Sequence, residues 1–250
     1  MAAEKTMGIV VRIVEFSESS CIATMLTRDF GKITALAKGA RRRKSPFEGA
    51  LDLLSTSRIV FLHKTSEALD LLTEAKLERC FRSASSDLNR LYAGYYVAEL
   101  VTAMTDEADP CPDLYDLAED VLLGLDQTET ICDQLFRLEV GALTILGHKP
   151  MLEHCAGCGR EKTIATKRVN FGLHAGGIFC DRCRQGKTNV ISLTSDTWEV
   201  LVQIAKCQSI DSIKTLPECR TEMRMFLNQY MSHHLGYKPR LQKYVTEIPH

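Results

Sequence analysis

No stretch of these 250 residues approaches the length of a membrane span. The first apolar run, Met7 to Phe16, is broken by Arg12 and preceded by Glu4 and Lys5, which does not read as a signal peptide. A cytoplasmic protein without a membrane role is expected. Internal repeats and low-complexity tracts are missing, as are a glycine-rich phosphate loop, a nucleophile elbow and a metalloprotease helix motif. The paired acids Glu119-Asp120 fall on a predicted acidic helix, where solvation explains them. His233-His234 falls at a predicted helix end, where a favourable dipole contact does. With no catalytic set in view, enzymatic activity is not expected.

Cysteine, by contrast, is plentiful. Of ten, Cys21, Cys80, Cys111, Cys132, Cys207 and Cys219 are scattered singly through apolar or helical-looking stretches, which suits reduced, buried thiols better than a disulfide framework. The other four, Cys155, Cys158, Cys180 and Cys183, form two Cys-x-x-Cys knuckles at a spacing close to that of a zinc site. Each knuckle turns two thiolates toward one point, and the pair completes a tetrahedral set of sulfurs. Two-residue gaps make poor local disulfides and good chelates. Four thiolates leave zinc no open position, so one structural ion is expected rather than a catalytic one. His154 and His174 lie nearby and read as surface residues or as supports for the ligands.

The net charge of −1 conceals an asymmetry. Residues 1–80 carry a net +3, residues 81–150 a net −9 and residues 151–250 a net +5. A polarised surface is expected, with partners of opposite sign on different faces.

Short strands dominate the first eighty residues. Met7–Val14 is β-branched and apolar except for Arg12; Cys21–Thr27 and Lys32–Ala37 are joined by Arg28-Asp29-Phe30-Gly31, a hairpin signal; Arg58–Leu62 and Leu69–Ala75 follow. Five short strands suit a small closed barrel, with the OB-fold as the natural candidate and an SH3-like barrel left open by the spacing. After Cys80 the period changes. Asp87 caps a predicted helix stopped by Pro110 and Pro112, Asp113 opens a second, and a third runs from about Glu129 to Leu146. Thr194–Lys206 and Pro217–His234 read as further helices, and the tail after Tyr237 is expected to fray. The expected fold is therefore α+β: an OB-fold nucleic-acid-binding domain over residues 1–80, then a helical domain over 81–250 carrying a zinc-binding insertion at about 151–188.

Arg28, Lys32, Lys38, Arg41, Arg42, Arg43 and Lys44 gather between residues 28 and 44, opposed only by Asp29. Clustered cations on a barrel face are the footprint of a phosphate backbone, and these seven are the candidate nucleic-acid-binding residues. Phe30 and Phe47 flank them as candidates for base stacking or for the core. Arg160, Lys162, Lys167, Arg168, Arg182 and Arg184 offer further positive charge beside the cysteines.

The ordered stretches resemble the RecO recombination-mediator family of bacterial DNA repair. The resemblance rests on Arg28–Lys32 with Ala37–Ser45, on Phe136–Glu139 and Leu146–Pro150 running into Cys155–Gly159, on Gly176–Cys183, and on His233–Gly236. It covers nearly the whole chain. It implies an amino-terminal OB domain joined to a helical domain with a zinc-binding insertion. It also implies binding of single- and double-stranded DNA, annealing of complementary strands, and help in loading RecA onto DNA coated by single-stranded-DNA-binding protein (SSB), together with RecR. For the acidic, apolar-ended tail of SSB, Arg137 or Arg90 is a candidate cation at the rim of a groove between helices. The acidic middle of this chain departs from that pattern. The competing reading is a zinc-containing nucleic-acid-binding adaptor that binds without annealing.

Overall fold

A computed structural model describes residues 3–42, 45–63, 69–83, 87–127, 130–162, 167–206 and 217–248. The chain divides into two compact units, Met1–Glu129 and Thr130–His250. Among the described residues no helix is long and apolar enough to cross a membrane.

In the first unit, strands β1 (Ala3–Glu15), β2 (Cys21–Thr27), β3 (Gly31–Ala37), β4 (Thr56–Leu62) and β5 (Asp70–Arg79) close a barrel in the order β1-β2-β3-β5-β4. Alternation fills it: Cys21, Ala23 and Met25 on β2 and Ile33, Ala35 and Ala37 on β3 point inward to meet Val10, Ile59, Phe61 and Leu72. A register shift between Val10 and Arg12 bends β1, so its first half pairs with β4 and its second half with β2. Parallel pairing of β3 with β5 completes the OB-fold arrangement and excludes the SH3-like alternative.

Two helices follow within this unit, α1 (Leu88–Met104) and α2 (Pro112–Asp126). Asp87 caps α1, its carboxylate accepting from the Asn89 and Arg90 amides at 2.9 and 3.3 Å. Pro112 does not stop a helix; it occupies the opening turn of α2, where its missing N–H costs nothing. The α1–α2 linker lies against the β2–β3 turn. Gly31 has φ +67°, and a Cβ there would sit 2.3 Å from the Asp109 carbonyl oxygen, so only glycine permits this approach.

The second unit contains α3 (Ile131–Ile145), β6 (Arg168–Gly172), β7 (Gly177–Phe179), α4 (Asp181–Arg184), β8 (Val190–Thr194), α5 (Ser195–Lys206), α6 (Pro217–Leu235) and α7 (Gln242–Thr246). The three strands form an antiparallel sheet in the order β7-β6-β8. At three to five residues each they are too short to show a period in the sequence. Phe171 of β6 meets Phe226 and Tyr230 of α6 edge-on, with ring centres 4.9 and 5.3 Å away. As far as Ile248 the tail is packed and not frayed: Val245 and Ile248 are buried, and the Gln242 amide donates to the Asn228 carbonyl at 2.9 Å.

Inside this unit Arg224 of α6 grips Glu139 of α3 through two parallel bonds of 2.8 and 2.7 Å, with side-chain exposures of 3% and 0%. The Arg224 guanidinium also lies 4.7 Å from the centre of the Phe136 ring. Removing one member of such a pair leaves a buried charge without its partner. Arg224→Ala is expected to lower stability by about 3–5 kcal/mol in urea unfolding, whereas Arg224→Met with Glu139→Leu recovers most of the loss. A single-substitution loss below about 1 kcal/mol would contradict this role.

Candidate nucleic-acid interface and metal centre

The two cysteine knuckles come together. The Sγ atoms of Cys155, Cys158, Cys180 and Cys183 all lie within 4.8 Å of one another. A thiolate-bound tetrahedral metal at about 2.3 Å from sulfur requires sulfur–sulfur edges of about 3.8 Å, and Cys158 and Cys180 stand 3.9 Å apart. The first knuckle is shaped by Gly159 N–H donating to the Cys155 carbonyl at 2.8 Å. The second is the start of α4, where Arg184 N–H donates to the Cys180 carbonyl at 2.9 Å. Gly157 lets the knuckles close, since a Cβ there would lie 2.9 Å from that of Cys183. His154 and His174 stay outside the quartet; His174 instead bonds the Asn189 side chain at 2.8 Å.

Electrostatics inside the quartet call for a cation. Burial pushes the Cys155 thiol up, but amide donors from Cys180 and Gly157 outweigh it and hold the thiol at about 6. Cys183, hydrogen-bonded to the Cys180 and Cys158 sulfurs, is pushed up to about 12. Four sulfurs this close share protons until a positive ion replaces them. The quartet can hold a metal ion.

The basic cluster is split by the barrel. Strand β2 runs six steps from the β1–β2 loop to the β2–β3 turn, so its two ends lie about 20 Å apart. At the turn end, Arg28 forms two bonds of 2.8 and 2.9 Å with Asp116 of α2, which hold that carboxyl below its usual range. Lys32 Nζ donates to the Thr102 and Thr105 carbonyls at 2.9 and 2.5 Å, closing the C-terminal turn of α1. Both cations fasten helices to the barrel. At the opposite end, Lys38, Arg41 and Arg42 are grouped after β3. Arg41 contacts Glu15 at 3.0 Å, where both side chains remain open to water. Lys38 and Arg42 are exposed and form no ion pair among the described residues. Arg43 and Lys44 lie outside the described residues.

Phe30 packs edge-on against Phe61, with ring centres 5.3 Å apart, and Phe47 is buried in the barrel core. Phe47 is a core residue, and the half-buried Phe30 packs against that core. The aromatic at the cationic end is one that sequence reading missed, Phe16, which is 60% exposed. The outward face beside it is apolar: Val14, Ile22 and Leu36 are partners across β1, β2 and β3. The signal was present in the alternation of β2 and β3, whose inward residues leave Ile22 and Leu36 outside. Beside the cysteines, Arg160, Lys167, Arg182 and Arg184 are exposed, while Arg168 bonds Ser192 and Glu222. Arg90 donates to the Leu125 carbonyl and pairs with Asp87, so it serves the α1–α2 packing.

If the quartet holds a metal, the purified chain will carry one equivalent, and stripping it with a strong chelator will lower the melting temperature. A loss of even ~3 kcal/mol corresponds to a shift of roughly 6–12 °C for a chain of this size. Absence of bound metal, with melting indifferent to chelator, would refute the assignment.

Comparison with known proteins agrees with this architecture in both parts of the chain. The family model for the N-terminal part of recombination protein O matches residues 1–81, and that for the C-terminal part matches residues 85–243. The DNA repair protein RecO of Rhodopirellula baltica is 42% identical over 199 residues, which cover 80% of this chain and 74% of that protein. The DNA repair protein RecO of Anaeromyxobacter dehalogenans is 29% identical over 250 residues, covering 99% of this chain and 98% of its own. That of Listeria monocytogenes is 28% identical over 249 residues, covering 98% and 94%. The chain, with a closed barrel under one family model and a cysteine quartet under the other, belongs to the RecO family.

Proposed function

We propose that this chain is a mediator of DNA repair and homologous recombination. It binds single- and double-stranded DNA, anneals complementary strands, and assists the loading of RecA onto SSB-coated DNA together with RecR. Family membership supports the role in repair and recombination. The observation that carries the binding step is the group Lys38, Arg41 and Arg42, exposed at one end of a closed OB barrel and extended in sequence by Arg43 and Lys44.

The chemistry is electrostatic rather than covalent. Complementary strands repel one another through their phosphates. A barrel end bearing several cations neutralises part of that charge and releases condensed counterions, while the bases stay free to pair. Glu15 holds Arg41 by a single exposed contact of 3.0 Å, without the second bond that Arg28 makes to Asp116, so the pair is worth little in water and an incoming phosphate replaces it. Zinc is the ion proposed for the quartet. Four sulfurs suit tetrahedral zinc and leave no open position, so the ion holds the loops of the second unit and takes no part in chemistry. That arrangement, and the lack of any catalytic set in the sequence, support a mediator that is not an enzyme.

Five cations on single-stranded phosphates predict a slope of log K against log salt near −3.5, at about −0.7 for each contact. Changing Lys38, Arg41 and Arg42 to alanine is expected to make that slope shallower by about 2 and to slow annealing of complementary oligonucleotides. Equal slopes and equal rates would mean that the loop is merely solvated. DNA binding without any acceleration of duplex formation would leave an adaptor instead of a mediator.

A further inference from the structure

We infer that Phe16 is a base-stacking residue and that it gives single strands their advantage over duplex at the barrel. This rests on the DNA-binding reading and specifies how one form of DNA is selected. Of nine phenylalanines, the other eight are buried or half-buried; Phe16 alone is 60% exposed. Its position is fixed rather than incidental. Phe16 and Ser17 N–H groups donate to the Ser20 carbonyl, each at 3.1 Å, closing the β1–β2 loop on itself. That loop is fastened to the cationic one by Arg41 N–H donating to the Ser19 carbonyl at 3.0 Å and Gly39 N–H donating to Ser20 Oγ at 3.2 Å. The residue before Phe16 is Glu15, the partner of Arg41. An exposed ring and a set of guanidinium groups are thus carried by two loops tied together through their backbones.

The sheet beside the ring extends the same chemistry. Val14 pairs with Ile22, Ile22 with Leu36, and Leu36 with Leu71, one apolar residue on each of four strands. Their inward neighbours Cys21, Ala37 and Leu72 belong to the core, which turns this row to the outside. None of the four is fully buried. Arg12 is exposed on β1, and Lys38, Arg41 and Arg42 lie beyond the ends of β2 and β3. An apolar strip bordered by cations matches a polymer whose bases are flat and apolar and whose linkers are anionic. Single-stranded DNA presents both at once. In duplex the base faces are already stacked on one another, so only the phosphates remain for the cations. The far end of the same hairpin cannot serve, because Lys32 and Thr34 are engaged by α1 and by the loop that follows it.

Stacking on an aromatic side chain is sequence-tolerant and largely independent of counterion release. The test therefore compares the full-length chain with Phe16→Ala and Phe16→Tyr, binding oligo(dT) and a duplex of equal length at several salt concentrations. Phe16→Ala should weaken oligo(dT) binding by roughly 5- to 150-fold. Its salt slope should match the unsubstituted chain, and its duplex affinity should change by no more than about two-fold. Phe16→Tyr should restore single-strand binding. Equal oligo(dT) affinity for Phe16→Ala and the unsubstituted chain would overturn the inference while leaving the DNA-binding reading intact. Equal losses on single strand and duplex would overturn it too, since they would mark Phe16 as a support for the loop. If the unsubstituted chain bound neither DNA, the broader reading would fail and this inference with it.

Discussion

The β2–β3 hairpin has two ends, and the cations at its turn are already spent within the protein. Lys32 closes the last turn of α1 by donating to two carbonyls, and Arg28 holds a carboxylate of α2. Those contacts fix two helices against the barrel, and they also decide which positive charges are left for a polyanion. The acidic middle of the sequence gains a structural meaning from this: Asp116 and Glu107 meet the barrel at Arg28 and Thr34. The opposite end of the hairpin leaves Lys38 and Arg42 without an ion pair among the described residues, and Arg41 with a single exposed contact to Glu15. Arg28 is half open to water like Arg41, but it is held by two bonds and Lys32 by two carbonyls, whereas Arg41 has a single contact.

The cysteine quartet follows the same logic in a more concentrated form. Its geometry is set by backbone: a glycine that admits close approach, a short helix that presents Cys180 and Cys183, and carbonyls that shape the first knuckle. Amide donors already favour a thiolate at Cys155, while crowding disfavours one at Cys183. A bound metal ion would resolve that conflict by replacing shared protons. Elsewhere in this unit the buried Arg224–Glu139 pair joins α3 to α6 without any ion. The short strands also carry apolar packing of their own, with Val169, Phe171, Ile178 and Leu193 buried.

Much of this was legible in the sequence. The five barrel strands show in short apolar runs, the Asp87 cap in its place before an apolar period, and the cysteine quartet in its spacing. What was not legible depended on tertiary choices. Pro112 reads locally as a breaker, yet at the opening turn of a helix it is favourable. The strands β6, β7 and β8 are too short to display a period and form only because they pair with one another. Arg28 and Lys32 look no different from Arg41 and Arg42 along the chain; only the return of α1 and α2 to the barrel separates them. Phe30 and Phe47 could have faced either way. The exposed ring turned out to be Phe16, at a strand end where apolar alternation says nothing about what lies beyond.

The division of the basic cluster can be measured directly. Replacing Arg28 by glutamine and Lys32 by methionine in one chain, then recording thermal melting and the salt dependence of oligonucleotide binding, separates cohesion from binding. The account predicts a lower melting temperature with an unchanged salt slope. A shallower slope with unchanged melting would contradict it, because those two side chains would then be serving phosphates and not helices.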